Sequence, residues 1–533
     1  MRWRWATRRT SPVSLSRAPV GTTRSVFCIS CAPRPGATAT CAKLSPTPVP
    51  SPIAGLSTSP TSVMSMTKRS TPSSPSSPKH RLPPIIRHFS WPGTWPCSKT
   101  SSGNAWSPYA HRRPHLKEIL MPIPFHIAAA TTMPSRAGQC MYAKTEELRE
   151  LGPAVPVKLP EGLTAWSVVR GETVSYLLAH PDVSRDVTRA VPTYEPGEVA
   201  WLAPWIDLQN MTTKDGAEHA RLRRVVVPSL TNRRIQRLRP AIEDSVHGLI
   251  DNLSRHPAGA SVDVHAEYSY QVPTLVICDL LGIPAELRPE VLRVFRLVAR
   301  TDDLTEAEAT QLNIDLLAAM GTLIAEKRSR PTDDLTSILI AESEKEDDPL
   351  TEDELIATLL LMIGGGSQTT INLIDHALAD LTRCPHARQA LAAGTDPRPI
   401  IEESLRKDCP VMNLPMRWAL ADIDLGEDVI IRAGEPILLN YGGHGRDETI
   451  NPHAEQFDPD RTEPQHLAFG LGVHRCPGSN LAILEAEVAV TLFCQAFPHA
   501  QVIGDINDYA GPTFIGNDLL ELPMQLRPTH DHA

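Results

Sequence analysis

The sequence predicts a mainly α-helical protein with a smaller β region, crossed by one long central helix. Three observations predict it. Apolar residues recur at three- and four-residue spacing over most of the chain beyond residue 240. The stretch 351–381 is the longest such run. Extended segments are short and gather near 155–169, 409–440 and 520–524.

Charge divides the 533 residues into two parts. Residues 1–117 carry 17 Lys+Arg and no acid, and Glu118 is the first acidic residue. The remainder holds all 61 acids against 35 of the 52 Lys+Arg, so the overall −9 combines a basic head with an acidic body. The head is rich in Ser, Pro, Thr and Arg, as in Ser70–Pro78, and shows no sustained apolar period. Such a segment cannot bury enough surface to offset chain entropy. We read residues 1–120 as a disordered basic extension, or as upstream sequence read from a misplaced start with Met121 the true one. Residues 121–533 are read as the folded domain. A transit peptide suits the Arg and Ser content, but the proline content, the length and the scattered Trp3, Trp5, Trp91, Trp95 and Trp106 argue against it. No folded motif presents the basic charge, so no nucleic-acid partner is expected.

Ten cysteines are present. Cys28 and Cys31 have metal-ligand spacing without a second pair to complete a zinc site. The six cysteines beyond the head are scattered, which suits a reducing cytoplasm. No run of 18 apolar residues exists, so no membrane span is expected.

In order along the body, Val155–Leu159 and Ala165–Val169 read as strands joined at Pro160–Gly162, followed by a helix over 172–179. Residues 186–212 contain Pro192, Pro196, Gly197 and Pro204 and read as a long functional loop. His219 and Arg223 lie four apart on one helix face. That pair suits carboxylates or a phosphate, or is a solvated basic face. A helix is expected from Pro240 through Leu253, and others over 286–300 and 305–328. Thr351–Glu354 fits a capping box ahead of the long helix. Gly364, Gly365 and Gly366 interrupt that helix, and each glycine costs about 1 kcal/mol relative to alanine. They mark either a local opening or something packed on the backbone. Glu403 and Arg406, three apart on a helix, read locally as a surface ion pair worth a few tenths of a kcal/mol. Cys409–Arg417 reads as extended. Ile430–Ile431 and Pro436–Asn440 flank Ala433-Gly434 and read as a hairpin.

The stretch His466–Gly478 holds three glycines, two histidines and Cys476, and a helical period at Leu481, Leu484, Val488 and Leu492 follows at once. Cys476 therefore precedes a helix N-terminus, where unpaired N–H groups and the helix dipole favour a thiolate. Taken alone, it is either a buried structural cysteine or a ligand.

Phe469-Gly-Leu-Gly-Val-His-Arg-Cys-Pro-Gly478 resembles the haem-binding loop of the cytochrome P450 superfamily. Glu403-x-x-Arg406, His219-x-x-x-Arg223 and the glycine-interrupted helix occur in the matching order. The resemblance covers about 121–533 and is similar to soluble bacterial, actinomycete-type members. It implies the P450 fold and a haem-thiolate monooxygenase. Cys476 would be the thiolate axial ligand of the iron of haem b. His219, Arg223, Arg417 and His474 would hold the propionates, with Phe469 in the haem loop. Glu403 and Arg406 would form a buried structural pair with the loop near Arg461. Gly365 and Gly366 would leave room for O2 and a small lipophilic substrate. At the oxygen-activating turn the family usually reads an acid before threonine, whereas this chain has Gln368-Thr369. An amide orients water but cannot ionise to release a proton.

The resemblance also implies electrons from NAD(P)H through separate partners, a ferredoxin and a ferredoxin reductase, since the chain holds no reductase-like segment. Alternatives are a peroxide-driven peroxygenase and a non-catalytic haem-binding protein.

Overall fold

The computed structural model describes residues 131–133, 141–289, 291, 306–511 and 513–528. All of them belong to one compact unit, Arg87–Ala533. The head, with Cys28, Cys31, Cys41 and Cys97, lies outside the described residues, as does most of the helix expected at 286–300.

The described elements run β1 (Thr131–Thr132), α1 (Met141–Leu151), β2 (Val155–Lys158), β3 (Thr164–Val168), α2 (Gly171–Leu178), β4 (Val183–Ser184), α3 (Val187–Ala190), α4 (Ala203–Ile206), α5 (Gly216–Val226) and α6 (Asn232–Leu253). Next come β5 (Ser261–Asp263), a π-helical turn at His265–Ser269, α7 (Gln271–Leu280), α8 (Glu306–Ser329), α9 (Leu335–Ser343), α10 (Glu352–Arg383), α11 (Pro385–Ala392) and α12 (Arg398–Lys407). The chain continues through β6 (Asn413–Ala419), β7 (Ile423–Asp424), β8 (Ile430–Ile431), β9 (Pro436–Asn440), α13 (Tyr441–Gly445), α14 (Ser479–Ala496), β10 (Gln501–Val502) and β11 (Pro523–Gln525).

Helix α10 is the spine. The Thr351 side chain accepts from the Glu354 N–H, and the Glu354 side chain accepts in return from the Thr351 N–H, so the expected capping box forms. Glu352, Asp353 and Glu354 place negative charge on the positive end of the helix dipole. At 1.5 Å per residue its 32 residues span about 48 Å. Leu355, Leu359, Leu373, Ile374, Leu378 and Leu381 are buried in one core with residues of α6, α7 and α14. Each fully buried leucine stabilises the fold by about 2 kcal/mol. The glycines do not break the helix; it runs unbroken through Gly364–Gly366.

Helix α6 begins at Asn232, eight residues before the expected start, and contains Pro240. A proline inside a helix costs about 3 kcal/mol, and burial of Ile235, Ile242 and Val246 on one face offsets it.

The main sheet has the order β1-β2-β3-β9-β6-β4. The expected pair β2–β3 is antiparallel. The expected hairpin of 430–431 with 436–440 is corrected by the structure. Strand β9 pairs parallel with β3 and antiparallel with β6, while β8 pairs with β7. All five residues of β9 are buried, so it is a central strand whose two edges are already filled. A second sheet joins β10, β11 and β5 near the C-terminal end.

The loop expected at 186–212 is built from the short α3 and α4 and a 3-10 turn at Ala200–Leu202. Asp207 holds it together by accepting from the Gly197 N–H at 2.8 Å and from the Tyr194 hydroxyl.

Candidate haem-thiolate site

The segment between Phe469 and Gly478 folds back on itself. The Cys476 N–H donates to the Phe469 carbonyl at 2.9 Å. Gly470 and Gly472 turn the chain at φ +66° and +75°, a region that glycine enters without steric cost. Gly478 caps α14, so Cys476 sits just ahead of that helix. Burial pushes the Cys476 thiol up; the Gly478 N–H, Arg223, Arg475 and the Ser479 N–H oppose the rise without cancelling it. A metal cation on Sγ would favour the thiolate there.

Four of the basic residues singled out in the sequence come together around this loop. His219 and Arg223 lie on α5, Arg417 on β6, and His474 in the loop itself. The His219 and His474 rings are 4.4 Å apart. Arg223 donates to the Arg475 carbonyl at 2.7 Å. Between Leu414 and Arg417 the β6–β9 register shifts, and such an irregularity re-aims the side chains beside it. His219 Nε2 and Arg417 Nε are both buried without a hydrogen-bond partner among the described residues. Two orphaned donors of this kind fit a group that brings its own carboxylates.

Two members of the cluster escaped the sequence reading. Asp215 accepts from His474 Nε2 at 2.8 Å, from the Arg185 N–H at 2.8 Å and from the Ser184 hydroxyl at 2.5 Å. Arg185 is buried and donates to the carbonyls of Thr212 and Pro415, each at 2.8 Å. Burial and the neighbouring Arg417 lower the Arg185 pKa to about 10. Burial lowers His474 to about 4; Asp215 opposes this, and Arg417, Arg185 and His219 reinforce it. The excess of positive charge is what carboxylates would relieve. Asp215-Gly216 is a turn signal before a helix, and it was the one local clue to Asp215.

On α10, a side chain at Gly364 would meet nothing within 4 Å, and one at Gly365 only Leu361 of the same helix at 3.9 Å. Gly366 differs: a Cβ there would lie 3.2 Å from Ile277 of α7, so this glycine accommodates helix packing. Thr369 Oγ1 donates to the Gly365 carbonyl at 2.8 Å, and Ser367 Oγ is buried without a partner among the described residues. Gln368 Nε2 donates to Asn372 Oδ1 at 3.0 Å and to Asp518 Oδ1 at 3.3 Å. Asn372 and Asp518 also went unnoticed in the sequence.

Glu403 and Arg406 are buried and joined by two bonds of 2.7 Å. Arg461 donates to Glu403 at 3.1 Å, and Arg406 also donates to the carbonyls of Gly445, Ala454 and Gln456. The pair ties α12 to the segment that leads into the cysteine loop.

A family model described as Cytochrome P450 matches residues 305–396 and 398–508. The 2-hydroxy-5-methyl-1-naphthoate 7-hydroxylase of Streptomyces carzinostaticus is 34% identical over 397 residues, covering 73% of this chain and 96% of the relative. The mycinamicin IV hydroxylase/epoxidase of Micromonospora griseorubida is 34% identical over 384 residues, covering 70% and 90%. Among solved structures, CYP154A1 from Streptomyces coelicolor A3(2) superposes with a TM-score of 0.67 at 37% identity, covering 74% of this chain and all of its own.

Proposed function

The chain belongs to the cytochrome P450 family, and from that premise we propose that it inserts one oxygen atom of O2 into a small lipophilic secondary metabolite. The observation that carries the reading is the orphaned cationic cradle around the cysteine loop. His219 Nε2 and Arg417 Nε, buried without partners among the described residues, would hold the propionates of a haem b, with Arg223 and His474 beside them. Cys476 would be its axial ligand. Thiolate-ligated haem iron supplies dioxygen activation, because thiolate donation favours O–O cleavage.

The chain's own residues then have distinct tasks. Gly365 keeps the face of α10 open. Thr369, with its hydroxyl on the Gly365 carbonyl, orients water in that turn. Loop 190–212, the Val411–Leu414 segment and the turn at Thr513–Ile515 would line the substrate space together with α10 near Leu361–Thr370, and the first three are joined to one another. The Trp201 ring meets Phe514 edge-on, with centroids 5.9 Å apart. The N–H groups of Met412 and Asn413 both donate to the Ile515 carbonyl. The walls are mainly apolar, which favours exclusion of water and a lipophilic substrate. The relatives are named for the hydroxylation of a naphthoate and for the hydroxylation and epoxidation of mycinamicin IV, both oxygen insertions. Electrons would come from NAD(P)H through a ferredoxin and its reductase. Val473, 67% exposed, and the exposed Leu471 and Arg475 offer a docking face beside Cys476.

A carbon-monoxide difference spectrum of the reduced protein tests this. The red-shifted thiolate band should appear in the wild type and vanish in Cys476→Ala. Its absence from the wild type sinks the reading. Faster turnover with peroxide alone than with O2 and redox partners would replace the monooxygenase with a peroxygenase.

A further inference from the structure

The long helix lacks a carboxylate at position 368, yet one stands against that position in space. Asp518 Oδ1 lies 3.3 Å from Gln368 Nε2 and 2.7 Å from Asn372 Nδ2, one helical turn further on. It comes from the C-terminal turn, 150 residues away in sequence. That turn is shaped around it. Gly511 accepts the Asp518 side chain closely, with a Cβ there only 3.1 Å from Asp518 Cβ, and a Cβ at Gly516 would collide with the carboxylate. The Gly511 N–H also donates to the Asp518 carbonyl at 2.7 Å. The turn is in turn pinned to the strand segment at Val411–Asn413 by the Val411–Gly516 bridge and the Met412 N–H to Ile515 bond.

On its other side Asp518 lines a partly open cavity of about 130 Å³, room for a few waters at about 30 Å³ each. The charged groups across that cavity pair with each other. Lys407 bonds Asp380 at 2.8 Å and Asp408 at 2.6 Å, and Arg446 bonds Asp408 at 2.6 Å. Arg383 also lines the cavity. His376 of α10, which bonds the Asn517 carbonyl, and His265 of the π-helical turn, which bonds Asp375, act on Asp518 only through space. Among the described residues no cation lies within salt-bridge range of Asp518. Burial raises its carboxyl above the ordinary value; bonds from Asn372 and Gln368 and the charges of His376 and His265 limit the rise.

We propose that Asp518 is the carboxyl group that serves the oxygen-activating turn of α10 in place of the acid absent from position 368, relaying protons from the water of the cavity. The proposal rests on the monooxygenase reading above. A proton leaves the Asp518 carboxyl for a water beside Thr369, and cavity water returns one to the carboxylate; no bond to carbon changes and no electrons move. Gln368 and Asn372 are positioning residues that hold the carboxylate against the helix.

The test uses full-length, haem-loaded protein with ferredoxin, its reductase and NADPH. NADPH oxidation is followed from pH 5 to 8 in H2O and D2O, and the carboxyl groups are titrated by infrared spectroscopy without turnover. In the wild type, an aspartate carboxyl band that is missing from Asp518→Asn should titrate above about 3.9, the ordinary value, and its midpoint should match a limb of the oxidation profile. Asp518→Asn should oxidise NADPH at least tenfold more slowly, with a larger solvent isotope effect and no such limb. The double variant Gln368→Glu, Asp518→Asn, which returns the acid to the helix, should recover to within threefold. Oxidation in Asp518→Asn within twofold of wild type, or an infrared midpoint at or below the ordinary value, overturns the relay. Should Asp518→Asn fail to take up haem, Gln368→Glu alone decides. A change below twofold agrees with an acid already in service, and a tenfold gain overturns the proposal. The carbon-monoxide band measured on the same samples reports on the haem reading separately, so a present band with unchanged oxidation in Asp518→Asn removes only the relay.

Discussion

His265 Nδ1 lies 2.7 Å from Oδ2 of Asp375, where the π-helical turn meets the long helix, and Asp375 is fully buried with its other oxygen unpartnered among the described residues. Burial lowers the His265 pKa, but the charge and hydrogen bond of Asp375 more than reverse this, and the net shift is upward. The pair clamps the turn between β5 and α7 to the spine of the fold.

The pH dependence of stability follows from that shift. His265 binds its proton more tightly folded than unfolded, so its contribution is complete below the unfolded value of about 6.5 and is lost as pH rises through the higher folded value. Urea unfolding from pH 6 to 9 should show declining stability that is absent from His265→Gln. His265→Phe leaves a buried carboxylate alone and should cost about 3–5 kcal/mol at pH 6.

The cradle predicts a haem-affinity series. Arg417→Leu removes a charge-assisted donor worth about 1.5–3 kcal/mol, so haem should dissociate roughly tenfold to 100-fold more readily. Haem transfer to an excess of apomyoglobin measures this. Arg224→Leu, a residue paired with Glu346 on the surface, should change transfer by less than twofold. Equal losses in the two variants would contradict the cradle.

Gly365 and Gly366 should separate on substitution. Alanine gains about 1 kcal/mol of helix propensity at either position. At 366 the new methyl presses on Ile277, and the gain should be cancelled. At 365 the methyl has space, so the melting temperature should rise by about 1 °C while carbon monoxide binds more slowly. Melting curves and flash photolysis check the two halves.

Glu403→Ala should leave the Arg406 guanidinium buried without its carboxylate, at a cost of about 3–5 kcal/mol. Arg461 would lose the same partner. Little haem-loaded protein should be recovered, and the soluble yield relative to wild type measures it. Removing both charges together, as Glu403→Leu with Arg406→Leu, tests whether the unpaired charge or the lost carbonyl contacts do the damage.

How far the sequence could be read depends on the range of each interaction. The capping box at Thr351, the spacing of Glu403 with Arg406 and the motif from Phe469 to Gly478 are local patterns and are readable, whereas Arg461 on Glu403 and Arg223 on Arg475 come from far along the chain. The run Pro436–Asn440 reads as a strand beside the turn Ala433-Gly434, but a local pattern carries no information on which strands flank it. It was therefore joined to the wrong neighbour. Asp215 meets His474 across 259 residues and Asp518 meets Gln368 across 150. No spacing rule reaches so far. What the sequence did expose was the vacancy at position 368, and only folding shows which carboxylate stands near it.

The contact of Trp201 with Phe514, together with the two bonds onto the Ile515 carbonyl, has a consequence for chimaeras. Loop 190–212, segment 410–414 and turn 511–518 form one recombination block, although they are scattered along the chain. A crossover that imports the loop from a relative and keeps the native turn breaks an aromatic contact; importing the turn alone also displaces Asp518. Hybrid libraries that exchange all three together should retain haem loading in a larger fraction of clones than libraries that exchange any one of them.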